Sequence, residues 1–309
     1  MNSMLLHRLK LYFALSRTPH GLIDMAAPAL AALLCLGRFP SAVVTLVGLV
    51  TVFAGYTAVY ALNDLVDFQV DRQKADLGGF GDTYNDIDGA LPRHPMAQGA
   101  LSFGAGLLWT CAWAAVALTG AYWLNPVCLY LFLAGCLLEA VYCKLLHLTP
   151  LRAVLNGVVK TLGALAAAFA VNPSPSPLFL ALLFGWLFFW EIGGQNIPND
   201  WTDIEEDRRL KARTIPLRIG RHRATLLIVV CLIGALLMNL LLFWASPLDF
   251  GLFDLVAVLA VNVALLLHPA QRLVENHERR FAMALFTKAS YYPLCLLVLV
   301  LVRLGLAAG

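Results

Sequence analysis

The chain falls into long apolar blocks separated by shorter polar segments. A membrane-spanning helix needs roughly 20 consecutive, mostly apolar residues. Blocks of that size lie at about 21–37, 41–64, 98–120, 121–143, 153–171, 177–198, 222–245, 250–268 and 284–306. The pattern predicts an all-α integral membrane protein with nine transmembrane helices in a single domain over residues 1–309. Ahead of the first block, "MNSMLLHRLKLYFALSRTPHGL" carries Arg8, Lys10 and Arg17 but no small-residue cleavage site, so residues 1–20 read as a retained interfacial segment and not as a signal peptide.

Composition agrees. At 60% hydrophobic and 13% charged, the chain is more apolar than a soluble domain of 309 residues requires. With the N-terminus placed in the cytoplasm, eighteen of the 22 Lys and Arg fall on the inner side. Arg38 and Arg303 fall outside, and Lys160 and Lys288 lie within spans. The net charge of +3 is therefore a topology signal and gives no reason to expect nucleic acid. A bacterial inner membrane is the expected location, with the N-terminus and the active site facing the cytoplasm. All seven cysteines lie in spans or at their ends without metal-ligand spacing, so free, buried thiols are expected.

The second span ends on "NDLVDFQVD", which places three aspartates at the edge of the lipid, where carboxylates are costly unless compensated. Asp64, Asp67 and Asp71 are spaced i, i+3, i+7, so on one continuous helix they fall within about 60° of each other. "NDWTDIEEDRR" repeats the spacing at the end of span six with Asp200, Asp203 and Asp207, and Asn199 precedes them as Asn63 precedes Asp64. Spans of even number run in the same direction, so both clusters emerge on one side. Six carboxylates meeting in one cavity repel one another unless cations are present. All-oxygen ligation points to Mg2+, which keeps several waters and completes its shell with substrate phosphates, so a diphosphate is the expected substrate group.

These two motifs resemble the Asp-rich pair of the UbiA superfamily of intramembrane prenyltransferases, N-D-x-x-D-x-x-x-D followed by D-x-x-D-x-x-x-D. "SRTPHG", "RHPMAQG", "VYCK", "VVKTLG" and "RTIPLRIG", in that order, extend the resemblance over nearly the whole chain. It implies nine helices around a central cavity, two motifs that hold Mg2+ and an isoprenyl diphosphate, and transfer of the isoprenyl chain to an acceptor. By the same resemblance all six aspartates are metal-holding and catalytic, and Lys160 contacts the diphosphate; snorkelling to an interface is the other reading of Lys160.

Asn63, Asn199, Arg72, Arg93, Arg208 and Lys211 flank the motifs as candidate substrate contacts, and Arg209 and Arg213 lie beside them. Several of these cations are expected to be positive-inside charges only. Tyr142 either faces the reacting cation or acceptor or serves as an interface anchor. Arg17 is a candidate for an acceptor carboxylate or a phosphate, and Asn156 for the cavity wall. Glu139 and Glu191 are intramembrane acids, either functional or paired structurally, Glu191 with Lys288. Between Asp71 and "RHPMAQG" the chain carries "RQKADLGGFGDTYNDIDGALP", longer than the family's usual connection. Residues 72–97 thus read either as a cytoplasmic lid or as a solvated insertion; the calcium-loop spacing is absent.

The expected acceptor is an aromatic quinone precursor, a hydroxybenzoate- or hydroxynaphthoate-like ring, an expectation resting on frequency within the superfamily. Porphyrins, chlorins, glycerol phosphates and phosphoribosyl groups remain open as acceptors. No obligate protein partner is inferred. A divalent-cation transporter is the reading from another class, since intramembrane carboxylates also mark ion paths. The clusters sit at one membrane face and not at mid-span, however, and the D-G-x-x-A-R signature of CDP-alcohol phosphotransferases is absent.

Overall fold

A computed structural model describes residues 3–77, 87, 89 and 91–308. Among them every regular element is helical, and nine helices are long and apolar enough to cross a membrane: Thr18–Leu36, Ala42–Val66, Phe103–Leu124, Pro126–Lys144, Arg152–Val171, Pro177–Thr202, Arg221–Ala245, Leu252–Asn276 and Arg279–Leu306. They are spans one to nine below.

The boundaries follow local chemistry. Ser41 and Ser102 cap spans two and three by accepting from Val44 N at 3.4 Å and Ala105 N at 3.2 Å. Span three starts later than the hydrophobic pattern predicts because residues 95–101 form turns, with Gly99 at φ 72°. Asn125, extended at φ −167°, divides spans three and four and caps the latter through Val127 N, with Pro126 following at the first helical position. The N-terminal helix runs Ser3–Leu15, and Arg17, left-handed at φ 42°, turns the chain into span one. Trp109 of span three holds this corner, donating to Ser16 Oγ at 2.8 Å and stacking on Tyr12.

Spans six to nine pack solidly, with Trp186, Trp190, Phe243 and Tyr292 fully buried among them. A buried hydrogen-bond chain ties all four together: Trp186 Nε1 donates to Tyr292 OH, Tyr292 OH to Asn262 Oδ1, and Asn262 Nδ2 to Asn239 Oδ1, at 2.8–3.1 Å. Leu108, Tyr130, Trp244 and Phe253, on four different spans, are exposed. An apolar exterior of that kind suits lipid, and the helices satisfy their own backbone groups as lipid demands. All seven cysteines are free thiols, but only Cys128, Cys143 and Cys231 are buried, and Cys111 of span three is exposed.

Spans one to six, with span nine closing one side, enclose a cavity of about 720 Å3. Its far end is apolar and lined by small residues, among them Gly48, Gly55, Gly163, Ala166 and Ala170. The opposite end is the mouth of acidic side chains.

Candidate active site

The two acidic motifs meet at that mouth. All six aspartates, with Asn63 and Asn199, line the one cavity. The motifs do not ride on continuous helices, however. Span two ends at Val66, Asp67 takes φ −89° and ψ 3°, and the chain resumes as the helix Phe68–Asp76. Span six breaks at the matching residue, Asp203 (φ −97°, ψ 10°), and resumes as Ile204–Arg209. The single shared face expected from i, i+3, i+7 spacing is thus replaced by a bend at each central aspartate. Asp64, Asp71, Asp200 and Asp207 are buried around the bends, while Asp67 and Asp203 stand half-buried at the openings.

Counter-charges come from residues outside the two acidic motifs. His94, left-handed at φ 46°, places Nδ1 3.1 Å from Asp64 Oδ1 and 3.0 Å from Asp71 Oδ2. Burial disfavours its charged form, but Asp64 and Asp71 outweigh that and raise it to about 9. Burial likewise pushes Asp71 up, yet His94 beside it holds it below the usual carboxylate range. Arg17 Nη2 reaches Asp64 at 3.8 Å. In the second motif, the buried Arg152 guanidinium donates to Asp200 Oδ1 at 3.0 Å and lies over the Tyr142 ring, 4.7 Å from its centroid.

The compensation is incomplete. Burial and the neighbouring Asp200 push Asp207 up to about 7, and burial and Asp71 raise Asp67. Asp207 Oδ2 and Glu206 Oε2 are buried without a hydrogen-bond partner among the described residues. Unpartnered carboxylate oxygens beside further carboxylates are the donor set a hard divalent cation takes, so these residues fit magnesium.

Beneath the mouth lies a belt of polar pairs. Asn63 Nδ2 donates to Glu139 Oε1 at 2.7 Å, Asn156 Nδ2 to Glu191 Oε1 at 2.7 Å, and Asn196 Nδ2 to Tyr142 OH at 3.4 Å. The pairing of Glu191 with Lys288 is not formed; Asn156 takes its place because both line the cavity. Lys160 does not snorkel. Its ammonium is 2.6 Å from Asp24 Oδ2 and 3.4 Å from Tyr60 OH, and Tyr60 OH also donates to Asp24.

Arg17, Arg93, Tyr142, Asn156 and Lys160 line the cavity, and Arg93 lies 3.9 Å from Glu206. Arg72, Arg208 and Lys211 do not line it. They are exposed, and Arg208 is drawn to Glu205 three residues earlier on the outer face of its short helix, at 2.8 Å. Arg213 is also exposed and donates to Leu148 O. Of the predicted 72–97 lid, residues 78–86, 88 and 90 lie outside the described residues.

His94 lies within "RHPMAQG", but no spacing marks it as a site residue, and Asp24 and Arg152 carry no motif signature; an acid inside span one and a positive charge opening span five are the signals that could have found them.

Comparison with known proteins identifies the family and the fold. The model of the UbiA prenyltransferase family matches residues 25–303. Digeranylgeranylglyceryl phosphate synthase of Methanoregula boonei is 25% identical over 221 residues, 71% of this chain and 72% of that protein. Its counterpart in Thermococcus sibiricus is 24% identical over 285 residues, 90% of this chain and 94% of its own length. Among solved structures, a UbiA homologue from Archaeoglobus fulgidus bound to GPP and Mg2+ superposes with a TM-score of 0.69 at 15% identity, covering 96% of this chain and 99% of that one. An apo UbiA homologue from Aeropyrum pernix gives 0.72 at 16% identity, covering 94% and 98%. The fold, the family match and the paired acidic motifs agree: this chain belongs to the UbiA prenyltransferase family and is an integral membrane prenyltransferase.

Proposed function

We propose that the chain transfers an isoprenyl group, with Mg2+, from its diphosphate to the hydroxyl of a glycerol phosphate-type acceptor. One observation carries the reading: two bent acidic motifs line the same mouth, the second with unpartnered carboxylate oxygens, over a cavity whose deep end is apolar. A diphosphate with a hydrocarbon tail matches that polarity end for end. The solved relative bound to GPP and Mg2+ supports the donor and the metal.

The acceptor departs from the aromatic quinone precursor expected from the sequence. Family frequency favoured that ring, whereas curated relatives covering most of this chain are named for digeranylgeranylglyceryl phosphate. A phosphate-bearing acceptor also suits a wall that presents Arg17, Lys74 and Arg93 near the mouth.

In this reading Asp64, Asp67, Asp71, Asp200, Asp203 and Asp207 hold the metal. Magnesium, when bound, supplies positive charge that stabilises the departing diphosphate. Arg152 keeps Asp200 in place and has a buried Nε–H without a partner among the described residues, a donor suited to a phosphate oxygen. Tyr60 and Tyr142 are both in the lining, and their aromatic rings suit a developing allylic cation. The apolar walls below keep bulk water from quenching that cation. Lys160, engaged by Asp24, orders the belt under the mouth. The basic segments at the mouth end favour a cytoplasmic active site.

The test incubates the purified protein in detergent with Mg2+, labelled geranylgeranyl diphosphate, and either a 3-O-alkylglycerol 1-phosphate or 4-hydroxybenzoate. Mass spectrometry should find the prenylated glycerol ether. Prenylated hydroxybenzoate as the only product would return the acceptor to an aromatic ring, and magnesium flux in liposomes without any product would favour a transporter.

A further inference from the structure

Glu191 belongs to the polar belt beneath the acidic mouth. It opens the buried π-helical turn Glu191–Asn196 in span six and is 4% exposed. Its Oε1 is engaged by Asn156, whereas its Oε2 is buried and has no hydrogen-bond partner among the described residues. A buried carboxylate oxygen left without a donor is expensive. Glu139, across the cavity, has no buried oxygen in that condition.

Depth gives the orphaned oxygen a chemical meaning. Arg152, Asn156 and Lys160 succeed one another at four-residue spacing on span five and all line the cavity. Arg152, the top rung, holds Asp200 of the acidic mouth; Lys160, the bottom rung, holds Asp24. Asn156 is about 6 Å of helix rise from each. Glu191 is therefore one helical turn beneath the place where a diphosphate would be held, at the level of its first ester carbon. Its position is rigid: a side chain added at Gly193 would meet Cys231 Cβ at 2.7 Å, so spans six and seven are in close contact behind the turn. π-Helical turns of this kind recur at functional sites.

We propose that Glu191 is the proton acceptor for the attacking hydroxyl, binding it through Oε2 while Asn156 fixes Oε1. The allylic carbon–oxygen bond breaks and the diphosphate leaves with the electron pair. The acceptor oxygen bonds to that carbon, and its proton passes to Glu191, which releases it to water once the ether product has departed. This inference rests on the proposed hydroxyl-bearing acceptor, since an aromatic carbon would bring no hydroxyl proton to this oxygen in the bond-forming step.

The experiment compares wild type, Glu191→Gln and Glu191→Asp in detergent with Mg2+, geranylgeranyl diphosphate and a 3-O-alkylglycerol 1-phosphate. Both ether formation and Mg2+-dependent binding of geranylgeranyl diphosphate by isothermal titration are followed. Glutamine keeps the shape and the bond to Asn156. Ether formation should fall about 10²–10⁴-fold in Glu191→Gln, with donor affinity within threefold of wild type, and Glu191→Asp should recover part of the transfer. Donor binding by the same sample certifies that the variant is folded. Ether formation within threefold of wild type in Glu191→Gln overturns the proposal, as does loss of donor binding together with transfer in both variants. If wild type itself makes no ether, the acceptor reading fails first and this inference with it; wild-type ether formation alongside an active Glu191→Gln removes the inference alone.

Discussion

Replacing Arg152 by Met tests how the second acidic motif is compensated. Methionine keeps the length and the apolar stem but deletes the guanidinium that contacts Asp200 at 3.0 Å and covers Tyr142. Both partners are buried, at 9% and 6% side-chain exposure, so solvent cannot replace the lost charge. Breaking a buried pair from one side costs about 3–5 kcal/mol. Removing a donor aimed at developing negative charge costs about 10²–10³ in kcat. Magnesium should return part of the first loss and little of the second, since a metal compensates Asp200 without replacing the Nε–H. The assay pairs thermal unfolding in EDTA and in Mg2+ with single-turnover transfer. In EDTA the variant should unfold well below wild type; Mg2+ should raise its midpoint by more than it raises that of wild type. A kcat within threefold of wild type, or an equal deficit with and without Mg2+, would refute the reasoning.

Metal-free protein should lose stability as pH rises from 5 to 10. The folded state holds His94 at about 9 against an ordinary 6.5 and Asp207 at about 7 against 3.8, so across those windows the folded chain binds more protons than the unfolded one, and stability declines with pH. The stability His94 contributes is complete below pH 6.5 and gone above 9; His94→Gln should flatten that limb of an EDTA melting series, and an unchanged curve would count against the bridge. Lys160→Met and Asp24→Leu should each destabilise the protein by about 3–5 kcal/mol, whereas the double variant should recover most of the loss; additive losses in denaturant titrations would deny the pair. Gly48 lines the cavity 16 residues, about 24 Å of helix, from Asp64, and a Cβ there meets nothing within 4 Å. Gly48→Phe should therefore lower kcat/KM for geranylgeranyl diphosphate and leave geranyl diphosphate nearly unaffected, and an equal effect on both donors would place the tail elsewhere.

Much of the architecture is legible in the sequence because lipid imposes a simple rule, namely long apolar helices with polar ends. The two motifs are legible because they recur with the same spacing and the same preceding Asn. Hydropathy does not register a helix that changes its hydrogen-bonding register, so the bends at Asp67 and Asp203 and the π turn at Glu191–Asn196 are invisible to it. Arg152 sits where positive-inside charges collect, and in the sequence it looks like one; only its contacts with Asp200 and Tyr142 set it apart. His94 follows an arginine in a loop, and its approach to Asp64 and Asp71 depends on a left-handed backbone that sequence does not announce. Asp24 and Lys160 are 136 positions apart, and their union is a property of packing.

The central claim is that the two motifs act as one binding site for magnesium and a diphosphate. Isothermal titration of geranyl diphosphate into wild type, Asp67→Asn and Asp203→Asn, each with Mg2+ and with EDTA, tests it most directly. Wild type should bind only with Mg2+, and either substitution should weaken binding severely while the folded protein remains intact by size exclusion. Binding without metal, or wild-type affinity after loss of either motif's central aspartate, would contradict the account.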